Sequence, residues 1–348
     1  MPAAFAAQIR ALGADARRRG FSVRDMSAGG SLELSYTGGK PDDGDSARLD
    51  DASPLTWLEP DPQRSRDVTK RLKASPFRYF LDATQRSLPC YYVGSIPIVC
   101  GFVSAGILER APSGEARLMP GMHVFEQFLI APVQSGRSEV DYVLDQLSAD
   151  GARIFDPLVA LVDDRDRYRA SLDDFGQLMN ASYDAVGRRR EEIEIMLLER
   201  WLAGSRDGIL VVDGPLRRET TNAIGVVKSF TRQYLSGPEA SALFDLGMNQ
   251  RSALFQLEKS RSRPAVDAWY QRFWESTGRD PRHALVRIET SSANPAGRVE
   301  DLAGWLMEER APRATNDARW PTLLYPIHYL EQILKKQLDG ATRGWPGI

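Results

Sequence analysis

The sequence has few of the residues that build disulfide frameworks or zinc sites. Its 348 residues include 2 cysteines and 3 histidines, and Cys90 and Cys100 alone cannot form a disulfide scaffold or a structural zinc site. An excess of charge of one sign is also lacking, because 45 basic and 47 acidic residues leave a net charge of −2. Bulk electrostatics therefore attract neither nucleic acid nor acidic membranes, and any polyanion site has to be a local patch.

Long apolar runs are also scarce. The one uncharged stretch that approaches the roughly 20 residues of a membrane-spanning helix is 90–108, but it contains three glycines and one proline among valine, isoleucine and aromatic residues. This pattern predicts two buried strands and no membrane span. The N-terminal segment carries Arg10 inside its apolar part, so we expect no signal peptide and a cytoplasmic location.

The remaining composition fits a folded protein of one or two domains. Hydrophobic residues make up 42% of the chain, which is enough for a core. We expect a helix over 2–20, irregular structure over 27–66, and a sheet that begins near residue 77. The predicted domains are therefore 1–75, an N-terminal helix and irregular segment, and 76–348, whose helical insertion covers about 110–205.

The order of the predicted elements favours an α/β fold with a mixed sheet. Strand patterns at 77–82 and 90–108 precede a helical pattern over 140–202. Further strands are predicted at 209–213, 224–230 and 283–290, and helices at 238–275, 305–309 and 327–338. We find no internal repeat.

Two aspartates stand at the ends of apolar strands. Asp82 ends the run FRYFLD and Asp213 ends GILVVD, and ligands of α/β proteins bind where such strands end. Two carboxylates brought together there repel each other unless a cation lies between them. The alternative is that each aspartate only caps a turn.

A third carboxylate lies on the helix that precedes Asp213. With Ile193 at zero on a helical wheel, Glu194 falls near 100°, among Leu197, Leu198 and Trp201. A carboxylate in the middle of an apolar face is costly unless it is paired or binds a metal. An ion pair with Arg190, one turn earlier, is the alternative.

Basic and aromatic residues flank these acids. Lys228 and Arg217 follow the second acidic strand, and the segment from Arg319 to His328 contains Trp320 and Tyr325. Such side chains suit phosphate and single-stranded nucleic acid, although an exposed lysine and a core of aromatic residues are the alternatives. Gly-Gly-Lys at 38–40 is followed by proline, so it is no P-loop and any ATP-driven step belongs to a partner.

Taken in order, FLDATQRS, ILVVDGPL, IGVVKSF, VRIE and LYPIHYLEQILKKQ resemble the NurA nuclease family from about residue 77 to 338, with 110–185 poorly matched. The resemblance implies an RNase H-like core that cuts DNA with Mn²⁺ (or Mg²⁺), as an exonuclease and as a single-strand endonuclease. It also implies a homodimer that docks on a HerA-type hexameric ATPase, in DNA end processing or in defence against foreign DNA.

The resemblance also implies roles for individual residues. Asp82, Glu194 and Asp213 match the metal ligands, Lys228 the lysine after the second acidic strand, and Tyr325 the tyrosine of the terminal motif. We expect His328 to protonate the leaving group. The residues expected to contact DNA are Arg86, Arg217, Lys228, Arg319 and Tyr325.

The sequence departs from the family at two places. The first motif, commonly Asp-Gly-Ser, reads Asp82-Ala83-Thr84, and the family's last His or Asp is replaced by Ile333. Because the three acids are intact, an active enzyme is the favoured hypothesis. The alternative is a non-catalytic subunit that clamps DNA for a translocase.

Overall fold

The computed structural model describes residues 2–21, 23–25, 55–69, 74–228, 234–259, 263–276, 281–292, 297–311 and 320–343. The helices in this part of the chain are α1 (Pro2–Arg18), α2 (Ser138–Ala149), α3 (Arg165–Asp173), α4 (Phe175–Leu202), α5 (Gly237–Phe244), α6 (Gly297–Glu309) and α7 (Tyr325–Thr342). The strands are β1 (Val23–Asp25), β2 (Leu55–Trp57), β3 (Arg66–Asp67), β4 (Phe77–Val93), β5 (Ile96–Arg110), β6 (Ala116–Ile130), β7 (Ile154–Phe155), β8 (Ile209–Asp213), β9 (Ala223–Val227), β10 (Gln250–Arg251), β11 (Phe255–Leu257), β12 (Val266–Arg272) and β13 (Leu285–Ser291).

The centre of the sheet has the order β6-β5-β4-β8-β9. Strands β4, β5 and β6 are antiparallel neighbours, whereas β8 runs parallel to β4 and β9 parallel to β8. This is the strand order of an RNase H-like core. Beyond β9 the sheet continues with antiparallel β13 and β12. The predicted fold class, α/β with a mixed sheet and flanking helices, is therefore confirmed.

The uncharged stretch 90–108 forms strands, as predicted. It contains the end of β4, a turn at Gly94 and Ser95, and most of β5. Gly94 has a φ of 61°, a left-handed conformation that glycine adopts without a steric cost. In the described part of the chain, no helix has the length and hydropathy needed to cross a membrane.

The two faces of the sheet are covered by different helices. Leu81 and Val212 lie in one apolar cluster with Ile193 and Leu197 of α4. The adjacent residues of the strands point the other way, so that Phe80 and Val211 cluster with side chains of α6 and α7. This alternation is the period of two that strands impose on side chains. Each central strand is consequently buried on both faces.

Three secondary-structure predictions were wrong. The segment 27–66, predicted to be irregular, contains β2, and the sheet predicted to begin near residue 77 already includes β1, β2 and β3. Residues 116–130, assigned to the helical insertion, form β6, so the helices of that region begin only at Ser138. Strand β6 is half-exposed and contains Pro120 and Gly121, which obscure its alternation. Residues 238–275, predicted helical, contain α5 and then three strands. There, buried polar residues such as Asp267 and Arg272 break the apolar pattern of β12.

The close approach of Gly101 to Phe128 predicts that a larger residue at position 101 lowers the stability of the protein. These residues are paired across β5 and β6, and a Cβ at Gly101 would come under 3.0 Å from three ring carbons of the fully buried Phe128. We expect Gly101→Ala to destabilise the protein by about 1–3 kcal/mol through overpacking, as measured by urea unfolding. Gly340→Ala is the control, because no atom lies within 4 Å of that Cβ, and it should stabilise α7 by up to about 1 kcal/mol. Equal stability of the two variants would contradict the packing argument.

Candidate functional site

Asp82 and Asp213 lie side by side on parallel strands. Leu81 of β4 is paired with Val212 of β8, so the aspartates that follow these residues stand at the same level of the sheet. Asp82 is only 5% exposed, and the side chain of Asp213 is 13% exposed. The structure brings the two acids together at the end of β8. The prediction that Asp82 ends its strand was wrong, because β4 continues past Asp82 to Val93 and only Asp213 ends a strand.

Asp82 lies in surroundings that disfavour its charge. Burial is the largest cause that raises the pKa of Asp82 well above its usual range, and the nearby carboxylate of Asp213 raises this pKa further. Lys228 acts in the opposite direction, and the amide of Ala83 donates a hydrogen bond of 2.7 Å to Asp82 Oδ1. In the described residues Asp82 forms no ion pair of its own, and its neutral form is therefore favoured.

Asp213 has one oxygen that is satisfied and one that is not. Lys228 Nζ, which follows β9, donates to Asp213 Oδ2 at 2.6 Å. Asp213 Oδ1 is buried and has no hydrogen-bond partner in the residues that the structure describes. A buried acceptor without a partner costs about 1–3 kcal/mol, and a cation with oxygen ligands would remove this cost.

Glu194 approaches the pair from α4. Arg190 Nη1 donates to Glu194 Oε1 at 2.8 Å, which confirms the ion pair considered from the sequence. Glu194, Asp213 and Arg217 also line a common cavity of about 20 Å³, which has room for one water-sized sphere. The charge of Glu194 raises the pKa of Asp82 as well, although less than the other acids do.

Glu331 on α7 belongs to the same group of acids and was not among the predicted site residues. It is 8% exposed, lies 2.9 Å from Lys335 Nζ, and raises the pKa of Asp82 more than Glu194 does. The same sequence pattern that identified Glu194, an acid within the apolar face of a helix, could have identified Glu331. Glu331 lies on the buried face of α7, between Leu330 and Leu334.

Two further predicted site residues, His328 and Tyr325, lie on α7 within two turns of Glu331. His328 is half-buried, with Nδ1 at 3.9 Å from Glu331 Oε2; within the described residues this nitrogen has no hydrogen-bond partner. Tyr325, the first residue of α7, is 55% exposed. These positions leave the ring of Tyr325 free to contact a ligand from solvent, while His328 faces the acid.

The predicted DNA-contacting arginines differ in their surroundings. Arg217 lines the cavity beside Asp213 and lies 3.9 Å from Glu191. Arg86 is partly exposed and is held against α7, because it donates to Asp339 at 2.7 Å and to Thr342. Its contact with DNA stays a prediction, and Arg319 lies outside the described residues.

The carboxylate oxygens of this site suit a hard cation, but they do not form a complete set of metal ligands. Nowhere in the described ranges do three or more His, Cys, Asp or Glu side chains stand together as a metal site. The observation that fits a metal is the unpartnered Oδ1 of Asp213 beside the buried Asp82, since carboxylate oxygens are the ligands that Mg²⁺ and Mn²⁺ prefer. Metal binding by Asp82, Glu194 and Asp213 therefore stays a prediction.

Comparisons with known proteins do not assign this chain to a family. No protein-family model matches the chain. No curated protein matches it either. Among solved structures, the chain is similar to the crystal structure of the NurA nuclease from Sulfolobus solfataricus, with 9% identity over 81% of this chain and 89% of that chain and a TM-score of 0.37. Similarity at this level carries no argument about activity.

The raised pKa of Asp82 predicts how stability depends on pH in the absence of divalent ions. Below the ordinary aspartate pKa of 3.8, the carboxyl group is protonated in both folded and unfolded chains. As the pH rises above that value, the unfolded chain ionises first, so the wild type loses stability until the pH passes the raised pKa of the folded state. Asp82→Asn removes this loss.

We therefore expect the melting temperature of Asp82→Asn in EDTA to exceed that of the wild type by several degrees at pH 8, and this gap to close toward pH 4. Asp145→Asn, which changes an exposed aspartate of α2, is the control and should show no such pH-dependent gap. A gap for Asp82→Asn that is constant with pH would contradict the assignment.

Proposed function

We propose that this protein is a metal-dependent nuclease that cleaves the phosphodiester bonds of DNA. The observation that carries the proposal is the pair of aspartates, the buried Asp82 and the partly buried Asp213, at the same level of adjacent parallel strands in an RNase H-like sheet. Two such carboxylates cost free energy when no cation lies between them. A cation held by carboxylates can activate a water and stabilise the charge that develops on a phosphate during hydrolysis.

Asp82, Asp213 and Glu194 would hold Mn²⁺ or Mg²⁺, with Glu331 as a further carboxylate on the opposite side of the sheet from α4. When bound, the cation supplies a water of lowered pKa and stabilises charge on the attacking and leaving oxygens. Glu194 and Glu331 each have a basic partner, Arg190 and Lys335. Those cations balance the acids until the metal binds.

The basic residues of the site suit the phosphate. Lys228, 2.6 Å from Asp213 Oδ2, can exchange this carboxylate for a non-bridging phosphate oxygen and neutralise its charge. Arg217 at the cavity would bind a neighbouring phosphate. His328 would donate a proton to the leaving oxygen, and the exposed ring of Tyr325 would stack on a base.

The proposed partners follow from the resemblance of the motifs. The chain would act as a homodimer with a HerA-type hexameric ATPase that moves the DNA, in end processing or in defence against foreign DNA. The absence of a P-loop from the sequence supports this division of labour, because the chain then has no phosphate-binding loop of that kind to power translocation by itself.

A second candidate function is a non-catalytic subunit that clamps DNA. It is favoured by Ile333, which packs against the apolar cluster beneath α7 at the position where the family has a His or Asp. The ion pair that holds Glu194 also favours it. Mn²⁺-dependent cleavage by the purified protein distinguishes the two candidates.

The first test of the proposal is cleavage of linear single- and double-stranded DNA. We expect the wild type to cleave with Mn²⁺ and to lose this activity in EDTA, and Asp213→Asn to lower the rate by about 100-fold or more because it removes a metal ligand. Asp145→Asn should cleave at the wild-type rate. Cleavage by Asp213→Asn at the wild-type rate would overturn the assignment, and no cleavage by any form would favour the clamp.

The second test concerns the further carboxylates. We expect Glu194→Gln and Glu331→Gln to raise the Mn²⁺ concentration for half-maximal cleavage by about 10-fold each, since each removes a charge that attracts the metal. Glu192→Gln is the matched control on α4, because the side chain of Glu192 is 59% exposed and paired with Arg189. An unchanged Mn²⁺ dependence for either variant would remove that residue from the metal site.

A further inference from the structure

The two cysteines of the chain meet in its core. Cys90 lies near the end of β4 and Cys100 in β5, and both are free thiols. Their sulfur atoms are 2.7 Å apart. Even carbon atoms, which are smaller than sulfur, approach only to about 3.5–4.0 Å without a bond, so the two thiols are closer than ordinary packing explains.

An irregularity in β4 directs Cys90 toward Cys100. The pairing of β4 with β5 shifts between Pro89 and Tyr91, so that Cys90 falls in a bulge and has no residue directly opposite it. Leu88 is the residue paired with Cys100. A bulge re-aims the side chain of its extra residue, and Pro89, which has no amide hydrogen, cannot contribute a donor to the regular ladder.

The surroundings of the two thiols are mostly apolar, and Cys90 Sγ also donates to the carbonyl oxygen of Leu88 at 3.9 Å. Both cysteines lie in an apolar cluster that includes Leu12 and Ala16 of α1 and Leu338 of α7. Within the described part of the chain they are not in any group of three or more potential metal ligands. A thiol pair without a third ligand or a catalytic base forms neither a metal site nor an activated nucleophile.

We propose that Cys90 and Cys100 form an intramolecular disulfide bond that joins β4 to β5 when the chain folds in the presence of a disulfide oxidant such as oxidised glutathione. One protein thiolate attacks oxidised glutathione, forms a mixed disulfide and releases one glutathione thiolate. The second protein thiolate attacks the protein sulfur of the mixed disulfide and releases the other. The protein pair is thereby oxidised, one glutathione disulfide is reduced to two thiols, and both protons pass to glutathione.

Burial determines when this reaction takes place. Cys90 is 9% exposed and Cys100 is fully buried. Burial, together with the hydrogen bond between the two thiols, raises the pKa of Cys100, and little thiolate is then present in the closed sheet. Oxidation therefore occurs during folding, and the finished bond is shielded from reductants.

The test uses the full wild-type chain. The reduced, denatured protein is refolded in mixtures of reduced and oxidised glutathione, denatured again, alkylated with iodoacetamide and digested with trypsin. Arg86 and Arg110 bound one peptide, 87–110, that contains both cysteines and no other basic residue before its end. We expect this peptide to be two hydrogen masses lighter than the dithiol and unalkylated, and to take up two alkyl groups only after reduction.

The outcomes are separable from those of the nuclease proposal, because neither cysteine belongs to the acid site. A peptide that is alkylated twice, or that carries glutathione on one cysteine, at every glutathione ratio would overturn the disulfide. The oxidised wild type should melt about 3–6 °C above the reduced form. Cys90→Ala and Cys100→Ala are the controls, since each leaves one thiol and should melt at the same temperature with and without oxidant.

Discussion

The repulsion between Asp82 and Asp213 is the constraint around which the site is built. The parallel pairing of β4 with β8 holds both carboxylates at one level of the sheet, and the core on either face prevents them from turning away into water. Burial and this repulsion raise the pKa of Asp82, and Lys228 donates a hydrogen bond to Asp213. The open oxygen of Asp213 is an acceptor to which a cation can bind.

The helices on the two faces bring further acids, each together with a base. Glu194 on α4 is paired with Arg190, and Glu331 on α7 with Lys335. Asp213 is paired with Lys228, so Asp82 alone has no ion-pair partner in the described part of the chain. Such a set is near neutrality, and under the proposed function the same bases would bind a phosphate once a cation held the carboxylates. One cluster of charges therefore serves both stability and the proposed chemistry.

The sequence predicted those features that depend on local pattern. The apolar runs that end at Asp82 and Asp213 identified both strands and both acids, and helical spacing identified Glu194 together with its partner Arg190. The features that it missed depend on distant pairing. The strand β6 is half-exposed, β12 is buried around polar side chains, and Glu331 joins the site only because α7 packs across β4 and β5. The engagement of Arg86 with α7 likewise arises from residues that are more than 250 positions away.

The most direct test of the central claim is the binding of Mn²⁺, followed through the electron paramagnetic resonance signal of the free ion, to the apoprotein and to the double variant Asp82→Asn/Asp213→Asn. We expect the wild type to remove at least one ion per chain from the free pool, and the double variant, although at least as stable in EDTA, to remove none at the same concentration. Equal binding by the two proteins would contradict the claim that these two aspartates form a cation site.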